Sequence, residues 1–179
     1  DPMRLFLLSV NPQGEDMRFS WEEIEEMNRR LNILWNVFRF PIPYMEIDGF
    51  DPRDFTLEEV ALETIDKWIL SRLQTVKQIV KVGWESYRQD QSIDAILNLI
   101  VEDISRYYIK IVRERMWTDT DTDSKTAAYV TLHHVLVEAI VLLAPFAPFI
   151  AEDIYQNLTK KSENLTVHMC DFPVVDLRL

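Results

Sequence analysis

Leu142-Leu-Ala-Pro-Phe-Ala-Pro-Phe-Ile-Ala-Glu-Asp-Ile-Tyr155 decides the fold. An almost wholly apolar helix runs up to it from about Lys125, and Pro145 and Pro148 interrupt that helix. Proline lacks a backbone N–H, so Pro148 fits the first turn of a second helix without losing a bond. The pattern predicts a tight helical corner that buries Phe146, Phe149, Ile150, Ile154 and Tyr155. The apolar faces that receive them must come from earlier in the chain. On pattern alone the stretch is core packing without chemistry of its own.

Working outward, Ser92 is the expected cap of a helix carrying Ile93, Ile96, Leu97, Ile100, Val101, Ile104, Tyr108, Ile111 and Val112. Thr64 caps a longer one through Ile65, Trp68, Ile69, Leu73, Val76 and Val80, weakened near its end by Gly83. Ser20-Trp-Glu-Glu23 is a capping box before a helix with Ile24, Met27, Leu31, Leu34 and Phe38 at helical spacing. Its glutamates come first and its arginines last, the order a helix dipole favours. Asp1-Pro2 opens a further helix, with Asp1 in the capping position. Pro41 to Phe55 reads as loop, Thr56 to Leu62 as one or two helical turns, and Leu165 to Met169 as a short extended segment. The fold class is all-α, a bundle of about five main helices with little or no sheet. Residues 1–19 read as a connector, 20–160 as the bundle and 161–179 as an exit segment. An ordered element at the very start, with no initiator Met, suggests a piece of something longer.

With 179 residues, 47% of them hydrophobic, the chain can bury one sizeable core. Only three glycines leave little for tight phosphate-cradling turns, and there is neither a P-loop nor a GxGxxG. The single Cys170 excludes an internal disulfide and a cysteine zinc site, which suits a cytoplasmic setting. No signal peptide and no apolar run of membrane-spanning length is visible. The net charge of -11 argues against strong autonomous binding to nucleic acid, so such a role needs a local basic patch.

Catalytic and metal constellations fail quickly. His133 and His134 are adjacent on a helix, about 100° apart, so one is expected packed and the other solvated. Asp119, Asp121 and Asp123 imitate the opening of a calcium loop, but Ser124 replaces the turn glycine and Val130 stands where the closing Glu belongs. No side-chain set recommends itself as catalytic or metal-binding. The one local excess of positive charge is Arg106, Lys110, Arg113 and Arg115, with Trp117 beyond and Glu114 the one acid among them. Basic groups at a helix end suit the dipole; they also suit phosphate, with an aromatic available for stacking. Lys67, Lys77 and Lys81 read as a solubilising stripe.

The motifs carry further than composition. Asp1-Pro-Met-Arg-Leu-Phe-Leu-Leu-Ser9 resembles the D-x-x-R-x-x-L-L-S segment that follows the catalytic domain in class I aminoacyl-tRNA synthetases. Phe19-Ser-Trp-Glu22 with Leu31-Asn-Ile-Leu-Trp-Asn-Val-Phe-Arg-Phe40 resembles the first bundle helix of the isoleucine enzymes. Asp66-Lys-Trp-Ile-Leu-Ser-Arg-Leu73, Tyr108-Ile109 with Arg113-Glu-Arg-Met-Trp117, and Leu143 to Glu152 are similar to later family segments. Val167-His-Met-Cys-Asp-Phe-Pro173 resembles the exit segment of the isoleucine branch, departing from it at Thr166 and Phe172. The six run in order along the whole chain, and their wording is closer to the archaeal and eukaryotic branch than to the bacterial one.

The resemblance implies the helical anticodon-binding domain of an isoleucine–tRNA ligase. The parent enzyme would use ATP and magnesium, and its HIGH-type and KMSKS-type motifs are not in this sequence. No cofactor is expected in this piece, and no ligase activity from it alone. The implied partners are the isoleucine tRNA and the catalytic and editing domains. The implied RNA contacts are Arg29, Arg30, Asn36 and Arg39 on the first bundle helix, and Arg113, Arg115 and Trp117 as a second patch. The alternative is a structural or protein-interaction module with little RNA affinity.

Overall fold

The computed structural model describes residues 1–12, 14–118, 122–159 and 165–176, and helices are the only regular structure among them. In chain order they are α1 (Pro2–Ser9), α2 (Trp21–Arg39), α3 (Ile42–Asp48), α4 (Thr64–Glu85), α5 (Gln89–Asn98), α6 (Ile109–Met116), α7 (Asp123–Leu143) and α8 (Pro148–Leu158). A π-helical stretch, Leu99–Tyr108, joins α5 to α6 in one rod. The five expected main helices are α2, α4, this rod, α7 and α8.

The axis of the bundle is α7. Thr122 starts it by accepting from the Lys125 N–H at 3.1 Å. Every residue from Ala127 to Leu132 is buried, so the helix is covered on all sides, packed by α4, α6 and α8. Its length and apolar composition would suffice to cross a membrane, a run the sequence reading overlooked, but its most apolar window is 67% buried inside the bundle.

The corner after α7 forms as expected, with Phe146, Ile154 and Tyr155 in the core and Phe146 stacked on Trp84 at 5.3 Å. Phe149 corrects the expectation, because it is 78% exposed. It lies two residues before buried Ala151, about 200° round the helix, so the two cannot share a face. Asp1 is a second correction. Its carboxylate makes no side-chain cap on α1; it accepts from the backbone N–H of Ile150 at 2.7 Å and of Phe149 at 3.4 Å. Asp1 therefore caps α8, whose first N–H groups have no partner within their own helix. α1 packs on α2 and α5, with Leu5 and Phe6 in the core.

Other expectations shift in register. α4 is capped by Glu63 rather than Thr64, its N–H reaching Asp66 at 3.0 Å. The next helix begins at Gln89, and Ser92 is a buried contact, not a cap. Gly83 is where α4 and α5 touch: a Cβ there would lie 2.1 Å from the Ser92 Oγ and 3.0 Å from the Arg88 carbonyl. Residues 41–55 are not simply loop but contain α3 and a 3-10 turn, Pro52–Asp54. Leu165 to Met169 holds a 3-10 turn, Val167–Met169, in place of an extended segment. Glu152, from the deciding stretch, fastens that turn by accepting from Thr166 Oγ1 at 2.7 Å and the Val167 N–H at 2.9 Å. Lys77 is no solubilising residue: it is buried, pairs with Glu138 and donates to the Val174 carbonyl at 3.2 Å.

Candidate nucleic-acid interface

Helical phase sorts the first set of candidates. Asn28, Arg29, Asn32, Asn36 and Arg39 are exposed along one side of α2, spaced three and four apart. Arg30 is about 100° round from Arg29, half-buried beside Glu26 and Asp94. Glu26 holds Arg29 at 2.8 Å and Arg30 at 3.5 Å. Arg39 has no carboxylate partner among the described residues. Trp35 is partly buried and packs on Phe38 with ring centres 5.5 Å apart.

The second set divides as well. Arg113 is exposed, and its guanidinium lies over the Trp117 ring, 5.3 Å from the centroid. Trp117 is 61% exposed. Arg106 is tied to Glu102 at 2.6 Å. Arg115 is committed internally, with its side chain only 14% exposed. It grips the fully buried Asp66 through two bonds of 3.1 and 2.9 Å, and donates to the Ser124 carbonyl as well. Asp66 also accepts from the Tyr108 hydroxyl at 2.6 Å. Burial first, and then the Asp66 charge, push the Tyr108 phenol well above its ordinary range. Arg115 thus belongs to the bundle's interior and leaves the set of open RNA contacts.

A run of aromatic contacts links the last turn of α2, where Arg39 is exposed, to Trp117 and the Arg113 above it, while Arg29 lies about 15 Å further back along the helix. Phe40 follows Arg39 and meets Tyr44 of α3 at 5.5 Å, and Tyr44 meets Trp117 at 6.5 Å with the rings 80° apart. Sequence reasoning missed Tyr44 because it lay in a supposed loop. The signal was Pro41-Ile-Pro43, which suits a helix's first turn and places Tyr44 one turn beyond Phe40.

Elsewhere, a cleft of about 540 Å³ lies between residues 52–58 and α7, with Arg53, Phe55, His133 and His134 in its walls. Both histidines are half-buried, not one packed and one solvated. His133 Nε2 is 3.2 Å from the Leu158 carbonyl and His134 Nε2 is 3.7 Å from Glu138. Burial holds both imidazoles below their ordinary pKa. Among the described residues no three His, Cys, Asp or Glu side chains are grouped to hold a metal. Asp119 and Asp121 of the calcium-like run lie outside the described residues.

The described residues thus form an all-α bundle with Arg113, Trp117 and Tyr44 grouped at one end. The chain belongs to the anticodon-binding domain family of tRNA ligases, whose family model matches residues 66–178. It is similar to the isoleucine–tRNA ligase of Natronomonas pharaonis, 61% identical over 178 residues that are 99% of this chain and 17% of the relative. The isoleucine–tRNA ligase of Haloarcula marismortui is 55% identical over all of this chain and 17% of its own length, and that of Methanocella arvoryzae 47% identical over the same shares. The chain thus spans about a sixth of these relatives. The fold matches part of a LeuRS–tRNA–LeuAMS ternary complex from Agrobacterium radiobacter K84, with TM-score 0.69 and 20% identity over 99% of this chain and 20% of that one.

Proposed function

We propose that this chain is the anticodon-arm-binding domain of an isoleucine–tRNA ligase acting in the cytoplasm. The observation that carries the reading is that Trp117, with Arg113 over it, is linked through Tyr44 and Phe40 to the end of α2, where Arg39 is exposed. Asn36 offers hydrogen bonds to a splayed base, Arg39 and Arg113 neutralise phosphate, and Trp117 offers a stacking face. Arg29 is an outlying phosphate contact further along α2. Activation of isoleucine with ATP and magnesium would belong to other parts of a longer ligase, and so would editing.

The test is a titration of the chain with an isoleucine tRNA transcript, and with one of altered anticodon, at two salt concentrations. Tighter binding of the cognate transcript is the expected result. Arg39→Ala should weaken binding and flatten the slope of log K against log salt by about one phosphate's worth, roughly 0.7–0.9. Unchanged affinity at both salt concentrations would remove Arg39 from the interface.

A second role is favoured by the exposed Phe19 and Trp21, whose rings meet edge-to-face at 4.9 Å. They suit docking against the catalytic or editing part of a longer polypeptide. Trp21→Ser should then weaken that association in the intact ligase and leave RNA binding by this chain unchanged.

A further inference from the structure

We infer that Tyr44, Trp117 and Arg113 form a receptor for one unstacked nucleobase, and that the buried Lys125 ammonium sets its aperture. The inference rests on the RNA-binding reading above. The two rings stand nearly perpendicular, 80° apart with centroids 6.5 Å from each other, so they form a notch and not a closed stack. Trp117 remains 61% accessible. A flat indole beside a guanidinium suits a base with its adjoining phosphate, a pairing that tolerates any base because every base has a π-face.

The rings come from α3 and from the end of α6, and one cation fixes their spacing. Lys125 has a side chain only 4% exposed and reaches Asp48, one helical turn beyond Tyr44, at 2.5 Å. The same Nζ donates to the carbonyl of Thr118, the residue after Trp117, at 2.9 Å. The Tyr129 hydroxyl closes the cluster by donating to Asp48 at 2.8 Å. A single ammonium therefore bolts the backbone beside one ring to the helix that carries the other. Burial alone would raise the Asp48 carboxyl, but hydrogen bonds from Lys125 and Tyr129 outweigh it and hold it below its ordinary range, so Asp48 is a carboxylate at neutral pH. On the near side of Trp117, Arg115 is clamped to Asp66 and the Ser124 carbonyl. A receptor held this way on both flanks is preorganised, and a shift of about 1 Å between its walls is enough to spoil it. Lys125 is accordingly a positioning residue; it need not touch RNA.

The experiment measures binding of a short RNA hairpin carrying the isoleucine anticodon loop, and of versions with one loop base at a time removed but every phosphate kept. The chain should lose about ten-fold in affinity, or more, at one abasic position. Trp117→Ala should bind the intact hairpin as weakly as wild type binds that abasic one, and should no longer distinguish the two. Lys125→Met paired with Asp48→Asn removes both charges, keeps an acceptor for Tyr129, and should lose the same discrimination. In that variant the active fraction by stoichiometric titration, and the slope of log K against log salt, should stay those of wild type. A loss that came only from unfolding would lower the active fraction instead. Discrimination retained in Trp117→Ala overturns the receptor, and discrimination retained in the paired variant overturns the role of Lys125. Wild-type chain that binds no hairpin at any salt concentration overturns the RNA reading and the inference together.

Discussion

Replacing Asp66 should cost this fold more than any change on its surface. The carboxylate is fully buried, and it accepts from the Tyr108 hydroxyl, twice from Arg115 and once from the Glu63 N–H. In Asp66→Ala the guanidinium of Arg115 keeps the Ser124 carbonyl and a longer approach to Glu63, 3.5 Å away and 48% exposed. Breaking one side of a buried pair costs about 3–5 kcal/mol, because the other charge stays behind without its partner. Total stabilities are only about 5–15 kcal/mol. At about 2–4 °C per kcal/mol for a chain of this size, the melting temperature should fall by roughly 10 °C. Urea and thermal melts followed by far-UV circular dichroism measure it. Adding Arg115→Met removes the stranded charge, so the double variant should recover part of the loss, a coupling on the order of 2 kcal/mol. A loss under about 1 kcal/mol in Asp66→Ala, or strict additivity in the cycle, would refute the buried clamp.

Phe149→Ala should change stability by no more than about 0.5 kcal/mol, whereas Phe146→Ala, three residues earlier and in the core, should cost about 3–5 kcal/mol; melts of the two side by side decide it. Tyr87 holds a left-handed φ of 57° in the turn between α4 and α5, so Tyr87→Gly should stabilise by about 0.5–1 kcal/mol, read as a higher urea midpoint. The Thr166 hydroxyl, helped by Gln156 and the Val167 N–H, holds the Glu152 carboxyl below its ordinary range despite some burial. Its contribution is therefore complete above the unfolded pKa and is lost as pH falls through the lower folded value. The stability advantage of wild type over Glu152→Gln should be present near neutrality and vanish in acid, measured as urea midpoints against pH; an advantage that grows in acid would reverse the sign.

Helices were legible here where apolar spacing, capping residues and prolines agreed, as in α2, α7 and the corner at 144–147. What sequence could not show was which side of a helix meets a distant element. Asp1 caps a helix that lies 149 residues away in sequence, at Ile150, and Asp66 pairs with Arg115 across 49 residues. No local pattern encodes either partner. Some of the site was nonetheless available from helical phase. Arg29 and Arg30 are about 100° apart, and Leu31, Leu34, Val37 and Phe38 mark a buried side that Arg30 borders and Arg29 faces away from. Arg113 and Arg115 differ, because each lies about 80° from the direction set by Val112 and Met116, on opposite sides, so phase alone does not say which one turns inward. Lys77 misled because it was read by its charge, while a lysine's long stem lets the ammonium reach a buried carboxylate.

The acidity of the chain and an RNA-binding end are compatible once the cations are located. Arg53, Arg72, Arg88, Arg106, Arg115, Lys77 and Lys125 each hold a carboxylate. Arg39 and Arg113 have no carboxylate partner among the described residues, and they stand at the same end of the bundle. At physiological salt, charges more than about 8 Å apart are largely screened, so phosphate there responds to those two cations more than to the total of -11. At about 0.01 M salt the screening length grows to about 30 Å, and the whole acidic surface then repels the RNA. Two opposing dependences follow: counterion release strengthens binding as salt falls, while the net charge weakens it. The plot of log K against log salt should therefore bend over at low salt. A straight, steep line down to the lowest concentration would mean that the contact is made elsewhere, by cations that the acidic surface does not surround.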